Sequence, residues 1–86
     1  AVKWFKLSAE QGYFDAQYEL SSHYLVGYGV IKDRVSAHMW LNISIANGRE
    51  DIYGLLSSYE REMTRSEISE AQKLARECVA KNYKGC

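Results

Sequence analysis

The stretch Ala1-Val-Lys-Trp-Phe-Lys-Leu-Ser-Ala-Glu-Gln-Gly12 returns, degraded, as Ala37-His-Met-Trp-Leu-Asn-Ile-Ser-Ile-Ala-Asn-Gly48. Ala1 aligns with Ala37, Trp4 with Trp40, Gly12 with Gly48 and Asp15 with Asp51, each pair 36 residues apart. Self-similarity at a fixed period of this size marks a helical array, in which each helix pair buries its apolar side on its neighbours. The expectation is an all-α chain: about two antiparallel helix hairpins of an α/α solenoid, followed by one further helix.

Residues 1–11 read as the first helix, with Val2, Trp4, Phe5, Leu7 and Ala9 on a broad apolar side. Gly12 stands where a left-handed C′ residue ends a helix at least cost. Asp15 is placed to N-cap a second helix running to about Leu25, and so short a connection makes the pair an αα-hairpin. Gly27-Tyr-Gly29 reads as a turn, because no strand precedes it and no third glycine completes a phosphate loop. Asp33 caps a third helix over about 34–47. A fourth is expected over 50–62 with Ile52, Leu55, Leu56 and Tyr59 buried, although Gly54 sits inside it at about 1 kcal/mol relative to alanine. Thr64-Arg-Ser-Glu67 is a capping box opening a fifth helix over 65–81. Its single apolar stripe (Ile68, Ala71, Leu74, Ala75, Cys78, Val79) on an otherwise polar surface suits a terminal capping helix.

Eighty-six residues, 47% apolar and 26% charged, make one small globular domain. Net charge is zero overall and zero in each half, with four basic and four acidic groups in 1–48 and seven of each in 49–86. A nucleic-acid binder shows a basic surplus, since counterion release supplies most of its affinity, so that class is set aside. The longest apolar run, Tyr24 to Ile31, has 8 residues and two glycines, whereas a membrane span needs about 20. The chain starts inside a helical pattern, which leads to the expectation of an excerpt or processed product lacking upstream repeats.

In order and spacing, Ala1-x-x-Trp4, Ala9-Glu-Gln-Gly12, Asp15-Ala-Gln-Tyr18-x-Leu20, Tyr24, Gly27-x-Gly29-Val30 and Asp33 resemble the Sel1-like repeat proteins, a tetratricopeptide-like group of α/α solenoids. Met63-Thr-x-x-x-Ile68-x-x-Ala71-Gln-x-Leu-Ala75 resembles the helix that closes many bacterial members. The chain divides accordingly into a repeat over 1–35, a divergent last repeat over 36–63, and a capping helix and tail over 64–86. Ser8-Ala9 and Ser44-Ile45 replace the small pair usual before the turn, Ser21 replaces a glycine, and Ile52 replaces an alanine. Altered packing is expected at Ile45 and Ile52.

No chemistry-bearing constellation emerges. His23 and His38 stand 15 apart on different helices without metal-ligand spacing, and no serine sits in a nucleophile motif. No catalytic residue, metal or cofactor is expected. Of the aromatic residues, Trp4 and Trp40 repeat at the period and are expected to fill the space between helices. Cys78 and Cys86 admit two readings. One is a disulfide, favoured by the even count and by the flexible return through Asn82-Tyr-Lys-Gly85, with about 2–3 kcal/mol from closing a short loop. The other is two unrelated thiols, Cys78 acting as a small apolar residue. The resemblance adds weight to the bond, because many family members are exported, and a disulfide implies the bacterial periplasm or the exterior.

The resemblance implies a non-catalytic protein–protein interaction scaffold, the C-terminal end of a bacterial array presenting a concave helical surface. Lys3, Lys6, Met39 and Asn42 are the candidate contacts for a protein or peptide partner. The alternative is a purely structural cap with recognition left to upstream repeats; a hydrolase site built across helices is the remote third reading. With apolar residues around Val2 and Phe5 left uncovered, the isolated chain is expected to self-associate or to have low stability.

Overall fold

The computed structural model describes residues 2–86, so Ala1, the first position of the repeat signature, lies outside the described residues. Five helices follow in order: α1 (Val2–Glu10), α2 (Phe14–Val26), α3 (Arg34–Ala46), α4 (Leu55–Glu60) and α5 (Arg65–Ala80), with a single 3-10 turn at Glu50–Ile52. No strand occurs among the described residues. Helices α1 and α2 form the first hairpin. Helix α3 packs most extensively on α2, carries α4 along another side and receives α5 across a third. Extents of 29 × 26 × 24 Å show that two hairpins and α5 close into a near-isometric body.

Helix termini follow local chemistry. Gly12 and Gly27 both take left-handed backbone at φ +91° and +75°, ending α1 and α2 where a Cβ would be strained. The Asp33 carboxylate accepts from the amides of Val35 and Ser36 at the start of α3. The Thr64–Glu67 capping box is complete in both directions, at 2.8 and 3.1 Å. Two expectations are corrected. Asp15 does not cap α2: Tyr13 occupies the N-cap without a side-chain bond, and Asp15 lies in the first turn, where its charge still opposes the helix dipole. The fourth helix is not continuous, breaking at Tyr53–Gly54 between the 3-10 turn and a six-residue α4. Gly54 has neither helix propensity nor a side chain to cap with.

Helix α3 is buried on two sides. Met39, Trp40 and Ile43 join Ala9, Ala16, Leu20, Ala75 and Cys78 in one cluster, while Ala37 and Leu41 join Ile52, Tyr59, Met63 and Ala71 in a second. Ile52 is buried and Ile45 half-buried against this second cluster, which absorbs both bulky substitutions. Ser21 is put to use where α2 crosses α3. Its hydroxyl donates to the Ala37 carbonyl at 2.6 Å and pairs with the Tyr59 hydroxyl at 3.2 Å.

The two repeat tryptophans part company. Trp40 is 0% exposed, whereas Trp4 is 73% exposed, so the expectation that both fill interhelical space holds for Trp40 alone. Trp40 has α2 on one side and α5 on the other; the main neighbour of α1 is α2. Val79, expected on the buried stripe of α5, is also largely exposed, at the stripe's edge.

Trp40→Ala should therefore destabilise the protein by about 3–5 kcal/mol, while Trp4→Ala should change stability by under about 0.5 kcal/mol, as read by urea denaturation of the two variants. A second outcome concerns pH. Burial pushes the Tyr59 hydroxyl above its ordinary value, with its hydrogen bond to Ser21 opposing. A raised folded value gives a contribution that is complete below the ordinary tyrosine pKa of about 10 and is lost as pH rises through the folded one. Stability should fall above about pH 10, and Tyr59→Phe should remove that component of the alkaline loss.

Candidate partner-binding surface

The 36-residue offset aligns Lys3, Trp4, Leu7 and Ser8 of α1 with Met39, Trp40, Ile43 and Ser44 of α3. On α3 these four positions are all buried; on α1 Lys3, Trp4 and Leu7 are exposed and Ser8 is half-buried. The outer face of α1 is thus an interhelical packing face without its packing. Trp4 and Leu7, the latter 49% exposed, lie three residues apart on one side of the helix. Lys3 and Lys6 repeat at the same spacing beside them, Lys3 exposed and Lys6 half-buried. Val2 and Phe5, expected to form the uncovered apolar side, are instead half-buried against the first core cluster. Helical geometry turns them toward α2 while Trp4 and Leu7 point away.

Of the four candidate contacts, Met39 is 4% exposed and belongs to the first core cluster. Asn42 is half-buried in a groove between α3 and α5, floored by Ile43, Ala75 and Val79 and rimmed by Gln72 and Arg76. The groove does not include Lys3 or Lys6, so the candidates fall on two surfaces rather than one.

Behind α1 lies a chain of hydrogen bonds that sequence reading missed. Tyr83 Oη donates to Asn47 Oδ1 at 3.1 Å, Asn47 Nδ2 to Gln17 Oε1 at 3.0 Å, and Gln17 Nε2 to the Ala9 carbonyl at 3.0 Å. Gln17 is completely buried, so the amide must satisfy both of its ends inside the protein. This relay joins the tail, the end of α3, the core of α2 and the last turn of α1. Cys78 and Cys86 are disulfide-bonded, closing the loop that carries Tyr83. Within it Asn82 and Tyr83 hold φ of +55° and +67°, backbone that costs of order 1–3 kcal/mol for residues bearing a Cβ.

Charged groups are drawn into the frame as well. Arg49 reaches Asp15 at 2.8 Å and Asp51 at 3.0 Å, with its guanidinium 4.9 Å above the Tyr18 ring. One arginine thus bridges the two period-related aspartates. Its hydrogen bonds hold the Asp51 carboxyl below the usual range. His38 Nε2 donates to Glu60 Oε2 at 2.7 Å from a buried position, and His23 Nδ1 donates to the Tyr28 carbonyl at 3.0 Å. Both histidines are thereby engaged in holding helices and turns. Among the described residues, no three His, Cys, Asp or Glu side chains cluster as a metal site would require, and no helix is long and apolar enough to cross a membrane.

The sequence profile of the Sel1 repeat matches residues 1–13 and 14–48, more than half of the chain. The second match spans α2 and α3, the two helices in most extensive contact. No curated protein and no solved structure matches the chain significantly.

Gln17→Ala should cost about 1–3 kcal/mol, because it removes both hydrogen bonds of a completely buried side chain, leaving the Asn47 amide without its acceptor and a gap in the core. Asp15→Ala, at the exposed end of its ion pair, should leave the urea midpoint almost unmoved. Comparable losses in the two variants would contradict the ranking.

Proposed function

The chain belongs to the Sel1 repeat family, whose repeats generally mediate protein–protein contacts and are typically non-catalytic scaffolds, and from that premise we propose that it is an interaction module presenting the outer face of α1 to a protein partner. One observation carries this reading. The same sequence position is a core tryptophan on α3 and a surface tryptophan on α1. Trp4 and Leu7 place two large exposed apolar groups on one side of α1, and tryptophan is enriched at the energetic centres of interfaces.

Lys3 and Lys6 give the face a cationic border, which suits a partner helix bearing apolar residues beside acidic ones. Lys3 stands where α3 has Met39, so this face is more polar than its buried counterpart. Asn42, in the groove between α3 and α5, forms a second and separate contact area in this proposal. The module is organised as a repeat over 1–35, a divergent repeat over 36–63 and a closing helix with its tail over 64–86. The bonded Cys78–Cys86 pair supports a bacterial protein working in the periplasm or outside the cell, where disulfides persist.

A second reading is favoured by α5, which covers α3 and shows water a polar back. On that reading the segment closes an array and recognition belongs to upstream repeats.

The two readings separate in one experiment. Immobilised protein and its Trp4→Ala/Leu7→Ala variant are compared for capture of partner proteins, with helicity checked by circular dichroism. The interaction reading expects at least about a tenfold loss of capture, as for removal of an interface anchor, with helicity unchanged. Equal capture by the two proteins would remove α1 as the contact face and leave the closing role.

A further inference from the structure

The C-terminal loop reaches back across the molecule to the end of α1. Tyr83 lies against Gly12, where an added Cβ would come within 3.3 Å of its ring. Lys84 Nζ donates to the Glu10 carbonyl at 2.8 Å, and the Gly85 amide donates to the Glu10 carboxylate at 3.4 Å. Glu10 is the last residue of α1, so these bonds fall on carbonyls and side chains that no further helical turn satisfies. Together with the Tyr83–Asn47 bond, they make the loop the fastening of α1 to the α3–α5 side of the molecule. Direct packing between α1 and α5 is slight by comparison with that of either helix on its own main neighbour.

The covalent link closes this loop, whose turn is also held by bonds from the Tyr83 amide to the Cys78 carbonyl and from the Asn82 amide to the Val79 carbonyl. Cys78 is seated in the core on α5, while Cys86 is only partly buried at the chain's end. Between them Asn82 and Tyr83 both occupy left-handed backbone, which an uncrosslinked chain of side-chain-bearing residues leaves readily. We propose that the Cys78–Cys86 loop is a redox-operated strap: bonded, it holds the end of α1 in place, and opened, it releases α1 while α2, α3 and α5 stay folded.

The opening step needs a dithiol reductant. Its thiolate attacks Sγ of Cys86, the more accessible sulfur, and displaces Cys78 as the leaving thiolate, giving a mixed disulfide. The reductant's second thiol then displaces Cys86, so the reductant departs oxidised and the protein gains two electrons and two protons. The face bearing Trp4 and Leu7 moves with α1, which places that surface under control of the bond. The strap itself does not depend on what that face binds.

Hydrogen exchange at single amides tests this in the full chain, oxidised, reduced by dithiothreitol, and as Cys86→Ser, with thiol state verified by alkylation and intact mass. The Gly12 and Tyr13 amides, which bond to the Ala9 and Ser8 carbonyls in the closing turn of α1, should exchange at least about tenfold faster on opening. Amides of Trp40 and Leu41 in α3 should keep their rates, and Cys86→Ser should behave as the reduced protein does. Unchanged exchange at Gly12 and Tyr13 in fully reduced protein would overturn the proposal. So would equal acceleration throughout α3, since the bond would then staple the whole fold rather than strap one helix.

Discussion

Helix α3 has no face turned freely to water along its middle, and the rest of the molecule is arranged to supply its two dry sides. Its sequence runs Ala37-His-Met-Trp-Leu-Asn-Ile-Ser44, with Asn42 alone left part-exposed. A helix apolar on more than one side must be covered on more than one side, which requires α2 and α5 to flank it and α4 to close the remaining edge. Several of the polar atoms it carries inward are met individually, although His38 Nδ1 and Trp40 Nε1 are buried without a partner. His38 is held by Glu60, and Ser44 donates to the Phe14 carbonyl at 2.7 Å. Ser21 answers the Ala37 carbonyl from α2. An unpaired polar group in such a position costs more than a pair contributes, so these small contacts set the register in which α2 and α3 cross.

That arrangement gives the repeat its asymmetry. Trp4 and Trp40 share a sequence position, but α3 lies between neighbours whereas α1 is packed chiefly on α2. One motif thereby yields a core residue in one copy and a surface residue in the other. The departures from the family pattern belong to the same logic. Ser21 replaces a glycine yet contributes a hydroxyl that links α2, α3 and Tyr59. Ile45 and Ile52 add volume at the second core cluster, Ile52 within it and Ile45 packed against it.

Tying the ends is a different problem from filling the core. The last turn of α1 has few apolar contacts beyond Ala9, and its orphan carbonyls need partners. Gln17, Asn47, Tyr83 and Lys84 supply the connection through side chains from three other parts of the chain. The disulfide shortens the conformational freedom of the segment that delivers two of them. Stabilisation of this kind is local: it acts on one helix end, and it is conditional on a bond that chemistry can open.

What the sequence by itself determined is the set of helices and most of their ends. Periodicity, the glycines at 12 and 27, the Asp33 cap and the Thr64–Glu67 box are interactions within a few residues, so they can be read without knowing the fold. The reading failed where a residue's fate depends on a distant neighbour. Asp15 was free to cap α2 but bonds Arg49, 34 residues on, and Met39, expected at a contact surface, lies in the core. Trp4 carries a core signature on a helix that nothing covers on that side. The fourth helix breaks at Tyr53–Gly54, where the local cost of the glycine was legible but the break was not expected. The Gln17–Asn47–Tyr83 relay left no motif, because hydrogen bonds between side chains 30 and 36 residues apart have no spacing rule. Local bonding decided the elements; only the tertiary structure decided which faces of them would be covered.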